Sequence, residues 1–291
     1  MTPEIPGFDR VRLPGVDGVQ LSAAVGGSGP ALVLLHGFPQ TSLMWRHVAP
    51  ELAAGRTVIC PDLRGYGASD APAATGPDTY AKRTMAADVV AAARALGHER
   101  FALAGHDRGA LVAIRAGLDS PDVVTHLCSV DVLPTLDSWD ILHGVRAAVA
   151  WHLYLMAQPP GLPEAMVAAT ADQFFGSFLD AWGSADLFPA DVRAEYLRAC
   201  RARVDSIVAD YRASAGVDLE HDGADRAAGR RLSMPVTVLQ QDWGAALGFD
   251  AAALWGAWAA DLDHRTVDAG HFMAEERPDV VVGALRSLLS R

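Results

Sequence analysis

The sequence Phe-Ala-Leu-Ala-Gly-His-Asp-Arg-Gly, residues 101–109, decides the fold of this chain. Its first four residues are all apolar, which is typical of a strand that is buried on both faces of a sheet. The stretch Arg108–Leu118 that follows has the length and composition of a helix. Gly105 and Gly109 permit a sharp turn between the strand and the helix, which holds the side chain of Asp107 above the sheet. We therefore expect a strand, a tight turn and a helix, with a carboxylate at the turn.

The same strand pattern recurs along the chain. Four more short apolar runs stand at Ala31–Leu35, Thr57–Cys60, Leu127–Val130 and Val236–Leu239. Helix-length stretches alternate with them or close the chain, at Ser42–Ala54, Thr79–Leu96 and Pro278–Leu289. This alternation predicts an α/β fold whose sheet is mainly parallel and has helices on both faces. The first 30 residues alternate loosely and contain glycine turns, so short antiparallel strands are expected there.

The alternation stops between residues 137 and 231. This segment shows only helical patterns, which are separated at Pro159-Pro160-Gly161, Gly183-Ser184 and Phe188-Pro189. Since the strand pattern resumes afterwards, we expect the helical block to be inserted into one domain. The core domain would comprise residues 1–136 and 232–291, and residues 137–231 would form a helical cap. Ligands bind at the carboxyl ends of parallel strands, so a cap placed there would cover the binding site.

The composition excludes several classes of protein. Apolar residues make up 51% of the 291 residues and charged residues 20%, which is ordinary globular usage. Lys and Arg number 24 against 35 Asp and Glu, and a net charge of −11 disfavours nucleic acid as a partner. The three cysteines fit neither a zinc site nor a disulfide framework. Without an apolar signal segment or a membrane-spanning run, we expect a cytoplasmic protein with no membrane partner.

Asp107 is the candidate nucleophile. A carboxylate at the centre of Gly-x-nucleophile-x-Gly can attack an electrophilic carbon and form an alkyl ester, which water must then hydrolyse. The alternative is that Asp107 only caps the helix, since aspartate favours that position. In turns of this kind, one oxyanion donor comes from a loop such as His36-Gly37-Phe38-Pro39. We expect the backbone N–H groups of Phe38 and Arg108 to be these donors, and His36 to be structural.

A base and its orienting carboxylate are expected later in the chain. His271 follows the last strand and precedes the final helix, where it could activate water. Asp131 and Asp242 each follow a buried strand, and either position could orient the imidazole. We prefer Asp131 but leave Asp242 open.

Together these residues resemble the α/β-hydrolase superfamily, in its aspartate-nucleophile branch of epoxide hydrolases and dehalogenases. The likeness is greatest to the fluoroacetate (haloacetate) dehalogenase family and spans nearly the whole chain. It rests on the segments 36–41 (HGFPQT), 62–67 (DLRGYG), 105–110 (GHDRGA), 130–135 (VDVLPT), 157–159 (AQP), 210–213 (DYRA) and 270–272 (GHF). The resemblance implies an eight-stranded sheet with an inserted cap and hydrolysis of carbon–halogen bonds in small 2-halo acids.

The resemblance also assigns substrate-binding residues. Arg108 would bind the substrate carboxylate, which suits a permanently charged guanidinium, although it could instead be a solvated residue at the helix start. His152 and Tyr211 would donate hydrogen bonds to the departing halide, or else only pack within the cap. Trp182 stands where the family has a tryptophan in the pocket wall, but an isolated tryptophan is usually a core residue.

Two positions depart from this family. A second arginine three residues after the first is replaced by Leu111, which lies on the same helix face as Arg108. Arg115 lies a further helical turn along and is a doubtful substitute for this second arginine. The tryptophan that binds halide after the cap histidine is replaced by Leu153, which has no donor. Fluoride is a poor leaving group, so we expect chloride and bromide to be released in preference to it.

Two other functions remain open. An epoxide hydrolase would use the same nucleophile and base with two cap tyrosines; Tyr211 fits one of them, but Tyr154 is one residue away from the other position. A non-catalytic protein of this fold that binds a small ligand is the second alternative. A serine esterase is excluded because Asp107 occupies the nucleophile position. We expect a small-molecule substrate, no cofactor and no metal, with a homodimer as the oligomeric state to test.

Overall fold

The computed structural model describes residues 3–184 and 186–291. Their strands form one eight-stranded sheet in the order β1-β2-β4-β3-β5-β6-β7-β8. Of the strand pairs in this sheet only β1–β2 and β2–β4 are antiparallel, so the predicted mainly parallel sheet is confirmed. The strands are β1 Asp9–Pro14, β2 Gln20–Gly26, β3 Ala31–Leu35, β4 Thr57–Pro61, β5 Phe101–His106, β6 Val124–Val130, β7 Val236–Gln240 and β8 Leu262–Thr266.

Helices cover both faces of this sheet. The core and closing helices are α1 Ala49–Leu52, α2 Lys82–Ala95, α3 Arg108–Asp119, α11 Trp243–Leu247, α12 Ala251–Gly256, α13 Met273–Glu276 and α14 Pro278–Leu288. Successive side chains of a strand point to opposite faces. In β3, Val33 and Leu35 join the apolar cluster that includes α2 and α3, whereas Leu32 and Leu34 join the one that includes α1 and α14. This two-sided burial explains why the central strands are continuous apolar runs.

The segment between β6 and β7 is helical. Its described residues form α4 Thr135–Ile141, α5 Trp151–Met156, α6 Leu162–Ala169, α7 Ala171–Trp182, α8 Ala190–Arg201, α9 Val204–Ser214 and α10 Val217–Ala227, with a 3₁₀ turn at Gly144–Ala148 and no strand of the sheet. The expected boundary at residue 137 falls inside α4. Across the described part of the chain, no helix is long and apolar enough to cross a membrane.

Two helices differ from their predicted extents. The expected helix Ser42–Ala54 is a 3₁₀ turn at Ser42–Trp45 followed by the short α1. Pro50, near the start of α1, lacks the N–H that a continuous helix would need and would clash with the preceding turn. Similarly, the expected helix Thr79–Leu96 begins as a separate 3₁₀ turn at Pro77–Tyr80, and α2 starts only at Lys82.

Candidate active site

The turn between β5 and α3 has a strained backbone. Asp107 has φ 47° and ψ −117°, a conformation that a residue other than glycine rarely adopts. A Cβ atom at Gly105 would lie 2.3 Å from the carbonyl oxygen of Gly109. At Gly109 it would lie 2.4 Å from the carbonyl oxygen of His36. Glycine is therefore required on both sides of Asp107, and the packed turn fixes where its carboxylate lies.

The Asp107 carboxylate does not cap α3. Its side chain makes no capping hydrogen bond, although the residue occupies the N-cap position. Instead, Oδ1 accepts a hydrogen bond of 2.8 Å from the backbone N–H of Phe38. No hydrogen bond joins the Arg108 N–H, the other expected donor, to this carboxylate, and Oδ2 accepts none from the described residues. Oδ1 is thus held by a backbone N–H, whereas Oδ2 accepts no hydrogen bond from the described residues.

His271 and Asp131 form a buried pair. Nδ1 of His271 lies 2.7 Å from Oδ2 of Asp131, and His271 Nε2 has no partner in the described structure. Because Nδ1 donates to the carboxylate, Nε2 is the free acceptor. Burial alone would lower the pKa of His271, but the hydrogen bond and charge of Asp131 outweigh it and raise that pKa above 6.5. The imidazole is therefore oriented and made more basic.

The other carboxylate that could orient the imidazole, Asp242, does not hydrogen-bond to His271. Its side chain accepts a hydrogen bond of 2.9 Å from Ala245 N and caps α11. Of the two carboxylates that the sequence left open, the structure brings only Asp131 to His271.

Sequence reasoning missed two residues that hold Asp131. Gln241 donates to both carboxylate oxygens, from its backbone N at 2.9 Å and from Nε2 at 2.7 Å. Trp243 Nε1 donates to Oδ1 at 2.9 Å. Burial would raise the pKa of Asp131, but the hydrogen bonds from His271 and Gln241 lower it, so the group stays ionised. The position of Gln241 just after β7 is the only signal in the sequence that could have pointed to it.

Arg108 is buried and already paired, so it is not a solvated residue at a helix start. Its Nε and Nη2 donate to the two carboxylate oxygens of Asp210, at 2.8 and 2.9 Å, and Nη2 also donates to Ser214 Oγ at 2.7 Å. Lys82 and Tyr66 bind the same Asp210 carboxylate. Only Nη1 of Arg108 donates to none of the described residues. The guanidinium therefore has only Nη1 left to donate to a substrate carboxylate, the role that the resemblance gives to Arg108.

The two expected halide donors, His152 and Tyr211, line the same cavity as Asp107. The rings of His152 and Tyr211 lie 5.5 Å apart, and neither side chain hydrogen-bonds to another described residue. Burial lowers the pKa of His152 to about 3, so its imidazole is neutral and has one N–H. Burial, followed by the charge of Asp107, raises the pKa of Tyr211 well above 10, so its hydroxyl keeps its proton. Both groups can therefore donate a hydrogen bond to a leaving atom.

These residues line one cavity of about 640 Å³, to which the ends of the strands and the helices between β6 and β7 contribute. Of the predicted site residues, all but Phe38 contribute to its walls: Asp107, Arg108, Asp131, His152, Trp182, Tyr211 and His271. The ring of Trp182 packs 5.0 Å from that of His271 and 5.1 Å from that of His152. Phe38 contributes only its backbone N–H, because its ring is packed among cap aromatics.

The two residues that depart from the family pattern, Leu111 and Leu153, face the cavity, whereas Arg115 and Tyr154 do not. Arg115 is bound to Asp222 and Asp225 outside the walls, so it does not replace the missing arginine. The hydroxyl of Tyr154 donates to the carbonyl oxygen of Leu142 at 2.8 Å, and Tyr154 lies outside the walls.

Two further observations concern His36 and the arrangement of possible metal ligands. His36 is structural, as expected, because its Nε2 accepts a hydrogen bond of 3.0 Å from Leu63 N. Within residues 3–184 and 186–291, no group of three His, Cys, Asp or Glu side chains is arranged to hold a metal ion.

Comparisons with known proteins show which families the chain is similar to. A family profile described as alpha/beta hydrolase fold matches residues 30–278. The chain is 40% identical to the fluoroacetate dehalogenase of a Burkholderia species, over 98% of this chain and 94% of that one. It is 34% identical to the soluble epoxide hydrolase of Corynebacterium sp. strain C12, over 92% of each. A solved structure of a candidate epoxide hydrolase from Pseudomonas aeruginosa superposes with a TM-score of 0.93 at 41% identity, covering 100% of this chain and 98% of that one.

Proposed function

The chain belongs to the α/β-hydrolase fold family, and from that premise we propose that it is a dehalogenase acting on 2-halo acids. The observation that carries the proposal is the Asp107 carboxylate, with Oδ1 held by the Phe38 N–H and Oδ2 unbound at the cavity wall. The 40% identity to a fluoroacetate dehalogenase supports the class of substrate. We further propose that residues 137–231 form a cap domain, since the helices between β6 and β7 supply His152 and Tyr211.

In the first step, Oδ2 of Asp107 attacks the carbon that carries the halogen. A carbon–oxygen ester bond forms, the carbon–halogen bond breaks, and the halide leaves with its electron pair. The N–H of His152 and the O–H of Tyr211 stabilise the departing halide by hydrogen bonds. Leu153 offers no third donor, so the proposal includes a preference for chloride and bromide over fluoride.

In the second step, Nε2 of His271 takes a proton from water, and the resulting hydroxide attacks the ester carbonyl of Asp107. The negative charge develops on Oδ1, where the Phe38 N–H already donates. Collapse of this intermediate breaks the bond from the carbonyl carbon to Oδ2, and the leaving oxygen takes the proton back from the His271 imidazolium to give a 2-hydroxy acid. Asp107 loses its remaining proton to solvent and keeps one oxygen from water. Asp131 stabilises the imidazolium that forms in between.

The decisive experiment is a single turnover in ¹⁸O-water with excess enzyme, using fluoro-, chloro- and bromoacetate, followed by mass analysis of the peptide that contains Asp107. The proposal requires one ¹⁸O atom in Asp107 and one equivalent of halide in solution. Halide release without label in that peptide would refute the ester. Fluoroacetate as the best of the three substrates would refute the halide preference.

Epoxide hydrolysis is the second candidate, because two unpaired donors, Tyr211 and His152, face one cavity and could protonate an epoxide oxygen. An epoxide in the same ¹⁸O experiment distinguishes the two functions: label in Asp107 with a diol product assigns this one. Binding of both substrate types without turnover would instead favour a non-catalytic protein of this fold.

Leu111→Arg is expected to lower the KM for chloroacetate by about 10- to 100-fold. One charge-assisted hydrogen bond contributes about 1.5–3 kcal/mol, and residue 111 lies one helical turn from Arg108 in the same cavity wall. The measurement is a comparison of KM values from halide release, with Leu111→Met as the uncharged control. An unchanged KM in the arginine variant, with the fold intact, would mean that the substrate carboxylate binds elsewhere.

Turnover is expected to fall as the pH is lowered through a midpoint above 6.5. Only the neutral imidazole of His271 can accept the proton of water, and Asp131 raises its pKa. Asp131→Asn removes that charge, so the midpoint should move to lower pH by about one unit or more. The pH profile of kcat and an NMR titration of the His271 ring nitrogens check this expectation. A midpoint that Asp131→Asn leaves in place would assign the titration to another group.

A further inference from the structure

The cavity is much larger than a haloacetate requires. Its volume is about 640 Å³, and since a molecule of liquid water takes up about 30 Å³, that space corresponds to about 20 waters. A haloacetate has five non-hydrogen atoms and would replace only about four or five of them. Most of the cavity would then be filled with water against its walls, unless the natural substrate is larger.

Much of the cavity wall is apolar, although Thr135, Ser138, Asp242 and Glu276 also line it. Leu111 lies on α3 near Arg108, and Leu153 follows His152 on α5, so both stand directly beside polar groups of the site. Beyond them the cavity is lined by Leu133, Trp139, Leu142, Val149 and Leu247. We call these seven residues the apolar lobe. Burial of apolar substrate atoms against such a surface is favourable roughly in proportion to the area that is removed from water.

The charges of the site give an acid little additional attraction. Arg108 is the only lysine or arginine among the described lining residues, and its charge is balanced by the buried carboxylate of Asp210. Lys82, which also binds Asp210, is in turn close to Asp218. These two buried cations and two buried carboxylates balance one another, and the other Asp and Glu residues among the described lining, Asp107, Asp131, Asp242 and Glu276, add no positive charge. Contacts with the apolar lobe must therefore provide much of the binding free energy of a substrate.

We propose that the cavity selects 2-halo acids whose reacting carbon carries an apolar chain of about four to eight carbons, a length that its room of about 20 waters accommodates. Leu111 and Leu153 determine this specificity, because they place apolar surface where a small acid would need donors. The inference deepens the proposed function and rests on it.

The first test is a substrate series on the wild-type enzyme: bromoacetate, 2-bromopropanoate, 2-bromobutanoate and 2-bromohexanoate. Each buried methylene is expected to raise kcat/KM by about fourfold, so the hexanoate should exceed the propanoate by at least about 30-fold. A series that is flat, or that declines with chain length, would overturn the proposal.

The second test fills the lobe. Leu153→Trp should lower the ratio of kcat/KM for 2-bromohexanoate to that for bromoacetate by about tenfold or more, because the indole occupies the space of the chain. Leu162→Trp is the matched control, since Leu162 lies on α6 with 68% of its surface exposed and outside the cavity. Its ratio should stay within about twofold of wild type. Equal ratios in the two variants would contradict a role for Leu153.

Binding of unreactive acids separates this inference from the proposed function. Calorimetric titration with acetate, butanoate and octanoate involves no bond cleavage, so it can be read even if no substrate releases halide. Octanoate is expected to bind at least about 30-fold more tightly than butanoate. If halide is never released but this difference in affinity is found, the proposed reaction is wrong and the proposed binding role of the apolar lobe is supported. Similar affinities for octanoate and butanoate would overturn the proposed role of the apolar lobe, whichever reaction the enzyme catalyses.

Discussion

Asp107→Asn is expected to abolish halide release, with a loss of about 10⁶-fold in kcat, comparable to the loss of the serine nucleophile in a serine protease. The amide oxygen can still accept the hydrogen bond from Phe38 N, but the side chain carries no charge with which to displace a halide. Asparagine has almost the same size and shape as aspartate, so the turn between β5 and α3 should keep its shape. The expected defect is therefore chemical, with little change in Tm.

The control is Asp17→Asn. Asp17 also has a positive φ, of 55°, and its side chain is 76% exposed outside the cavity. The two variants thus make the same chemical change at a residue with a positive φ. Intact mass spectrometry must establish that asparagine 107 has not deamidated back to aspartate. Turnover near the wild-type rate in a verified Asp107→Asn protein would show that water attacks the substrate directly and that no ester forms.

The central sheet could be predicted because its strands are buried on both faces. Such strands are unbroken apolar runs, as in β3 and β5, and the turns that follow them carry the reacting side chains. β8 was not predicted from its own sequence, because it lies at the edge of the sheet. Its sequence Leu-Asp-His-Arg-Thr is partly exposed throughout and shows no apolar run. Edge strands face solvent on one side and so lose the pattern by which a buried strand is recognised.

The site was predictable where it follows the sheet topology. Asp107, Asp131 and His271 each follow a strand, and the carboxyl ends of parallel strands meet at one edge. The surroundings of Arg108 were not predictable. Its partner Asp210 lies 102 residues away on α9, and no local sequence pattern predicts an ion pair over that separation. The choice between Asp131 and Asp242 likewise depended on side-chain direction, which a strand end alone does not determine.

His271→Asn is expected to separate the two steps of the reaction. Formation of the ester needs only Asp107 and the halide donors His152 and Tyr211, whereas its hydrolysis needs the base. The variant should therefore release about one equivalent of bromide per enzyme in a burst and then stop, with steady-state turnover reduced by about 10²- to 10⁴-fold. Intact mass should rise by the mass of the substrate less its bromide, and the added group should map to the peptide that contains Asp107.

His47→Asn is the matched control, since His47 is exposed and outside the cavity walls, and it should turn over normally without a trapped adduct. Loss of the burst itself in His271→Asn would mean that His271 also assists the first step, against the division of labour proposed here. Sustained turnover would mean that another group activates water. Because the unpaired Nε2 of His271 is the acceptor left free by the bond of Nδ1 to Asp131, an adduct that persists in the variant would tie that nitrogen to hydrolysis of the ester.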